Sequence, residues 1–259
     1  MTTRTLGALV ALTIAAPAWA AVPAEDEEAA YPLRFVERPL TLPRHGLLLG
    51  ATVPVIRAPR PDGSVQRVVG LAVNGAFGVT DDFAVSVSPV VLQLAPEPLV
   101  GDASLAARYR LRGRGAVEVA LTLSLQLPFQ DDFLATPQVN VRIHGGDVFA
   151  LDTGALLEFR FSDPSVIAFA IPIRPTVQLS DHLFAGINTG LVVATLDRPG
   201  DSLYFPLAFD VGVTLGDERP LCDLTAAVEF PLFWIPAADD SLVTELYILR
   251  LSASFYFFL

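Results

Sequence analysis

Charged residues in this chain recur two positions apart, a spacing that sets them on one face of an extended strand. Arg108, Arg110 and Arg112 do so, as do Arg142 with His144 and Glu158 with Arg160. The same parity in neighbouring segments adds Glu118, Arg174, Asp210, Asp223, Glu229 and Arg250 to one inward set. Six of its seven arginines, Arg108 to Arg174, lie on the fourth to eighth expected strands, whereas Asp210, Asp223 and Glu229 come later. Two chemistries follow. A basic wall facing an acidic wall would set a transverse field across a narrow aqueous lumen, orienting small polar or anionic solutes. Alternatively, the same charges form a salt-bridge ladder that fills a closed lumen, with Glu118 on Arg108 or Arg142 and Glu158 on Arg142. The sequence leaves both open.

Catalysis and metal binding find little support. The histidines are His45, His144 and His182, and none has a Ser and an acid at a recognisable spacing. No nucleophile elbow or phosphate-binding loop occurs, so neither an enzyme nor a cofactor is expected. A lipid hydrolase is the weakest of the alternatives. Cys222 is the single cysteine, which excludes an internal disulfide and a cysteine-based metal site, and its place just after a turn suggests a bland apolar role. The formal charge of −11 argues against a nucleic-acid partner, which needs a basic face.

The elements that must position these residues are strands. Residues 1–20 read as a secretory signal peptide, with Arg4, an apolar run from Leu6 to Ala15 and the small-x-small pattern Ala18-Trp19-Ala20. Residues 21–45 carry the acidic run Glu25 to Glu28 and Pro32, Pro39 and Pro43, and are expected to be a solvated, flexible leader. From Gly46 to Leu259 the dominant signal is period-2 alternation. Val119, Leu121, Leu123, Leu125 and Leu127 alternate with Glu118, Ala120, Thr122, Ser124 and Gln126. About twelve strands are expected on this criterion, with the sixth over 138–151 and the seventh over 154–162. Tight turns are expected at Thr80 to Asp82, Gly113 to Gly115, Asp152-Thr153, Ser180 to His182 and Gly216 to Pro220. Asp81, Asp82 and Asp181 are read there as turn formers. Longer loops alternate with them, among them Pro128 to Pro137. An even strand count puts both termini at the short-turn, periplasmic end.

The composition is 52% hydrophobic and 17% charged, yet no stretch after residue 20 is long and uninterrupted enough for a membrane helix. The alternative is an all-β, closed, antiparallel up-and-down transmembrane barrel over 46–259. Three features favour it over a soluble sandwich. The strands are long, the polar face is rich in small residues (Gly70, Ala72, Asn74, Ala76, Gly78), and aromatics collect at strand ends. Phe77, Phe83, Phe184, Phe255 and Phe257 would form one girdle, and Phe161, Phe205, Phe233 and Trp234 the other. The last strand, with Leu251, Ala253, Phe255, Phe257 and Leu259, resembles the terminal β-signal of Gram-negative outer-membrane proteins. Leu259 departs from it, since that family usually ends in Phe. The resemblance implies export to the outer membrane, contact with its lipid and recognition by the assembly machinery through the last strand. It implies a porin-like or a closed structural or surface-interaction barrel, and names no solute.

Overall fold

The computed structural model describes residues 31–259 apart from 61, 113–114, 129–131, 163–164 and 237–240. The expected signal peptide and the acidic run therefore lie outside the described residues. The alternating segments become strands β1 (Gly46–Pro59), β2 (Val65–Thr80), β3 (Phe83–Ala95), β4 (Leu99–Val100), β5 (Ala103–Arg112), β6 (Val117–Leu127), β7 (Phe133–His144), β8 (Phe149–Phe161), β9 (Val166–Gln178), β10 (Leu183–Val193), β11 (Leu203–Leu215), β12 (Cys222–Ile235), β13 (Ser241–Leu242) and β14 (Tyr247–Phe258). Each long strand pairs antiparallel with the next, and β14 pairs with β1 from Gly46↔Phe258 to Arg57↔Tyr247. The two-residue strands β4 and β13 attach to β3 and β12 at the long-loop end. The result is a closed barrel of twelve long strands. Closure leaves no free sheet edge, which a backbone surrounded by lipid could not tolerate.

The outer face is apolar. Leu49, Leu123, Phe209 and Leu251 point outward and stay 47%, 48%, 45% and 65% exposed, far too open for a core. Such a belt suits a bilayer and not water. The interior is layered. At the long-loop end Ile56, Ala58, Leu246 and Ile248 cluster with Val68, Leu232 and Val243. Inward positions at mid-height and towards the short-turn end are mostly charged and polar, and the pair Glu158 and Arg160 lies at the long-loop end of β8.

Three expectations are corrected. The turn placed at Asp152-Thr153 lies instead at Gly145 to Val148, where Gly146 supplies a φ of +75° that a side chain would resist. Asp152 and Thr153 sit within β8, opposite Arg142 and Val141. β7 begins at Phe133, inside the expected long loop, because Pro137 is tolerated opposite Leu123 on β6. Phe184 is not a girdle residue: it is fully buried inside the barrel. Arg112 lies in β5 beside a bulge at Arg110/Arg112, and its side chain is outside the described residues.

Candidate functional site

The segment before β1 is not a solvated leader over its described part. Tyr31, Phe35, Val36, Arg38, Leu40, Thr41 and Leu42 are almost wholly buried. Their partners come from all round the wall, so residues 31–43 cross the lumen at its short-turn end. A 3-10 turn at Phe35–Glu37 is the only regular element among its described residues. The prolines that suggested flexibility suit this course, because a buried proline has no N–H to satisfy. The backbone groups that remain are met by wall side chains in place of strand neighbours. Gln178 Oε1 accepts from Val36 N–H at 3.3 Å, and Glu118 Oε2 from Leu40 N–H at 2.8 Å. Arg108 donates to the Leu40 carbonyl at 3.0 Å, Arg142 to the Arg38 carbonyl, and His144 Nδ1 lies 2.9 Å from the Val36 carbonyl.

Arg38 is the centre of this plug. Its guanidinium, 0% exposed, forks onto Asp223 at 2.5 and 3.1 Å and also reaches Tyr256 Oη and Thr214 Oγ1. It donates as well to the carbonyls of Pro32 and Leu33, folding the plug on itself. Asp223 in turn accepts from the Thr214 hydroxyl at 2.7 Å and the Tyr256 hydroxyl at 2.6 Å. A buried ion pair is tolerable only when its remaining hydrogen-bonding capacity is filled, as here. Apolar contacts finish the docking. Phe35 stacks on Phe184 with ring centroids 4.2 Å apart, and Tyr31 packs with Leu42, Leu48 and Tyr256. Pro43 lies so close to β2 that a Cβ on Gly78 would sit 1.8 Å from its carbonyl oxygen.

The rim adds a second set of ties. Arg34 donates to Asp147 at 2.7 Å and to Asp181 at 2.6 Å, in the β7–β8 and β9–β10 turns. Thr41 Oγ1 donates to the Asp81 carbonyl, and Asp81 Oδ1 accepts from Arg44 N–H at 2.9 Å. The Arg34 hydrogen bond holds the Asp147 carboxyl below the usual carboxylate range. Asp81 and Asp181 do occupy turns, and they also hold the plug.

The inward charges singled out from the sequence are paired locally rather than arrayed as two facing walls. Arg110 binds Asp82 at 2.8 Å, Arg142 grips Asp152 at 2.5 and 2.7 Å, and Arg160 binds Glu158 at 3.0 Å. Arg174 on β9 reaches Asp210 on β11 at 3.0 Å, and Arg250 on β14 meets Glu229 on β12. Glu118 pairs with His144 at 3.3 Å, not with Arg108 or Arg142, and Glu158 does not reach Arg142. Arg108 instead donates to Thr122, which also accepts from Asn140. Sequence reasoning missed Arg38, Asp152, Asp147, Gln178 and Tyr256. The available signal was the density of Tyr31, Leu33, Phe35, Val36, Leu40 and Leu42 in a tract otherwise scored by its acids and prolines.

No protein-family model and no curated protein matches the chain. Among solved structures it is similar to the NanC porin, at 10% identity and a TM-score of 0.61, covering 80% of this chain and 98% of that one. It is also similar to an outer-membrane channel from Pseudomonas putida F1, at 11% identity and a TM-score of 0.54, covering 91% and 100%. With its lipid-facing belt and closed sheet, the chain has the fold of the outer-membrane β-barrels of Gram-negative bacteria.

Proposed function

We propose that this barrel is a gated outer-membrane channel for small polar solutes, held closed by residues 31–43 at its periplasmic end. The observation that carries the reading is the plug itself, which crosses the lumen and is anchored through a wholly buried Arg38. Arg108, Arg110, Glu118, Arg142, His144, Glu158, Arg160, Arg174, Asp210, Asp223, Glu229 and Arg250 would line the path. Of these, Arg108, Glu118, Arg142, His144 and Asp223 bind the plug and would face solute only after it leaves. Arg160, Arg174 and Arg250 each already hold a carboxylate, so the open lumen would carry alternating charge and a weak ion preference in place of a strong anion preference. A purely structural or surface-interaction barrel is the competing outcome.

Planar-bilayer conductance distinguishes the two. The mature chain is compared with a variant whose residues 31–43 are replaced by a Gly/Ser linker of equal length. Small, infrequent openings in the first and a steady larger conductance in the second are expected. If neither conducts while both keep the heat-modifiable gel mobility of an intact barrel, the channel reading fails.

A further inference from the structure

Three arginines stand apart from the paired charges of the lumen. Arg57 on β1 and Arg67 on β2 are direct cross-strand partners, and Arg60 follows in the β1–β2 loop. Arg57 and Arg67 share the outward parity of Val53, Val55, Val69 and Val73, so both project from the exterior of the barrel. Like charges directly opposite one another destabilise a sheet unless something compensates them. Among the described residues, none of the three makes an ion pair. Arg57 donates to the Glu245 carbonyl at 2.9 Å and lies 5.8 Å from the Tyr247 ring centroid. Arg60 reaches Gln66 at 3.4 Å, and the nearby Asp62 carboxylate is occupied by Ser64 of its own turn.

Their height on the barrel supplies the second observation. From Leu47 to Arg57 is about 33 Å along a strand, or about 25 Å of height at the usual barrel tilt. That is the thickness of the apolar belt, so the arginines stand where it ends, at the long-loop side. Tyr247 beside Arg57 is the kind of residue that marks that boundary. Directly below the arginines, Val55, Val69 and the 45%-exposed Leu249 lie side by side as an outward apolar strip.

We propose that Arg57, Arg60 and Arg67 form a binding site for the phosphorylated headgroup of an outer-leaflet lipid. Guanidinium forks match phosphate oxygens, and an anion seated between Arg57 and Arg67 relieves their repulsion. The acyl chains lie on the strip below. The site is on the outside of the wall and stands whether or not the lumen conducts.

The test titrates the full-length barrel in detergent with lipid A, with phosphatidylcholine and with inorganic phosphate, and counts bound molecules by native mass spectrometry. Each interfacial arginine contributes about a fivefold affinity, so the Arg57→Gln/Arg60→Gln/Arg67→Gln variant should bind lipid A on the order of a hundredfold more weakly. Arg198→Gln, a change in another loop, should bind as the parent does, and gel mobility verifies that each variant is folded. Three results overturn the proposal: a triple variant that binds lipid A within twofold of the parent, phosphatidylcholine binding as tightly as lipid A, or inorganic phosphate alone saturating the site.

Discussion

Replacing Arg38 by Met keeps most of the side-chain volume and removes the charge at the heart of the plug. Asp223, 4% exposed, then retains the Thr214 and Tyr256 hydroxyls but has no cation. Breaking a buried pair from one side costs about 3–5 kcal/mol. In most proteins that cost would fall on global stability. Here the barrel offers an easier outlet, because departure of the plug floods the site and returns Asp223 to water. The cost should therefore appear as plug release, a shift of roughly 150- to 5,000-fold in the closed-to-open ratio. Single-channel recording reads this directly. The parent should be closed for most of each trace and Arg38→Met open for most of it, with the heat-modifiable mobility unchanged. Adding Asp223→Asn removes the stranded charge and should restore much of the closed time. An Arg38→Met barrel that is intact and gates like the parent would refute the argument, and so would a double variant more open than the single one.

Gly78→Val should open the channel without removing any charged or hydrogen-bonding side chain, since the new side chain would occupy the position of the Pro43 carbonyl; solute flux into proteoliposomes checks this. Acidification should loosen the rim. The Asp147 carboxyl is held low by Arg34, so the tie is complete above the ordinary carboxylate range, near pH 4, and is lost as pH falls through its lowered value. Open probability should rise on acidification and not on raising the pH, and Asp147→Asn should show it already at neutral pH. In a plug-free barrel Asp210→Asn frees the Arg174 charge, and reversal potentials in a salt gradient should move towards anion preference.

The barrel was legible because lipid imposes a rule that each strand obeys by itself. Outward residues at the height of the lipid core are overwhelmingly apolar, so Val119 to Leu127 or Leu251 to Leu259 can be read without knowing a neighbour. Turns were less legible. Asp152 has the chemistry of a turn residue, and only its partner Arg142 on the adjacent strand shows that it belongs to β8. The plug was not legible, for a related reason. It has no period, and what stabilises Arg38 is Asp223, far along the chain, with Tyr256 and Thr214. The inward charges could be listed from parity alone. Their pairing depends on which strands close beside one another and on a segment that parity does not describe.

The plug precedes every strand, yet the wall side chains that hold Arg38 come late in the chain. Tyr256 belongs to β14, the strand whose pairing with β1 closes the ring, and Asp223 to its neighbour β12. Leu259 N–H donates to the carbonyl of His45, joining the two ends where the plug enters β1. Arg38 therefore has no complete receptor until the final seam forms. Docking of Arg38 cannot precede ring closure, and a barrel still open at the β1–β14 seam cannot hold its plug through this arginine.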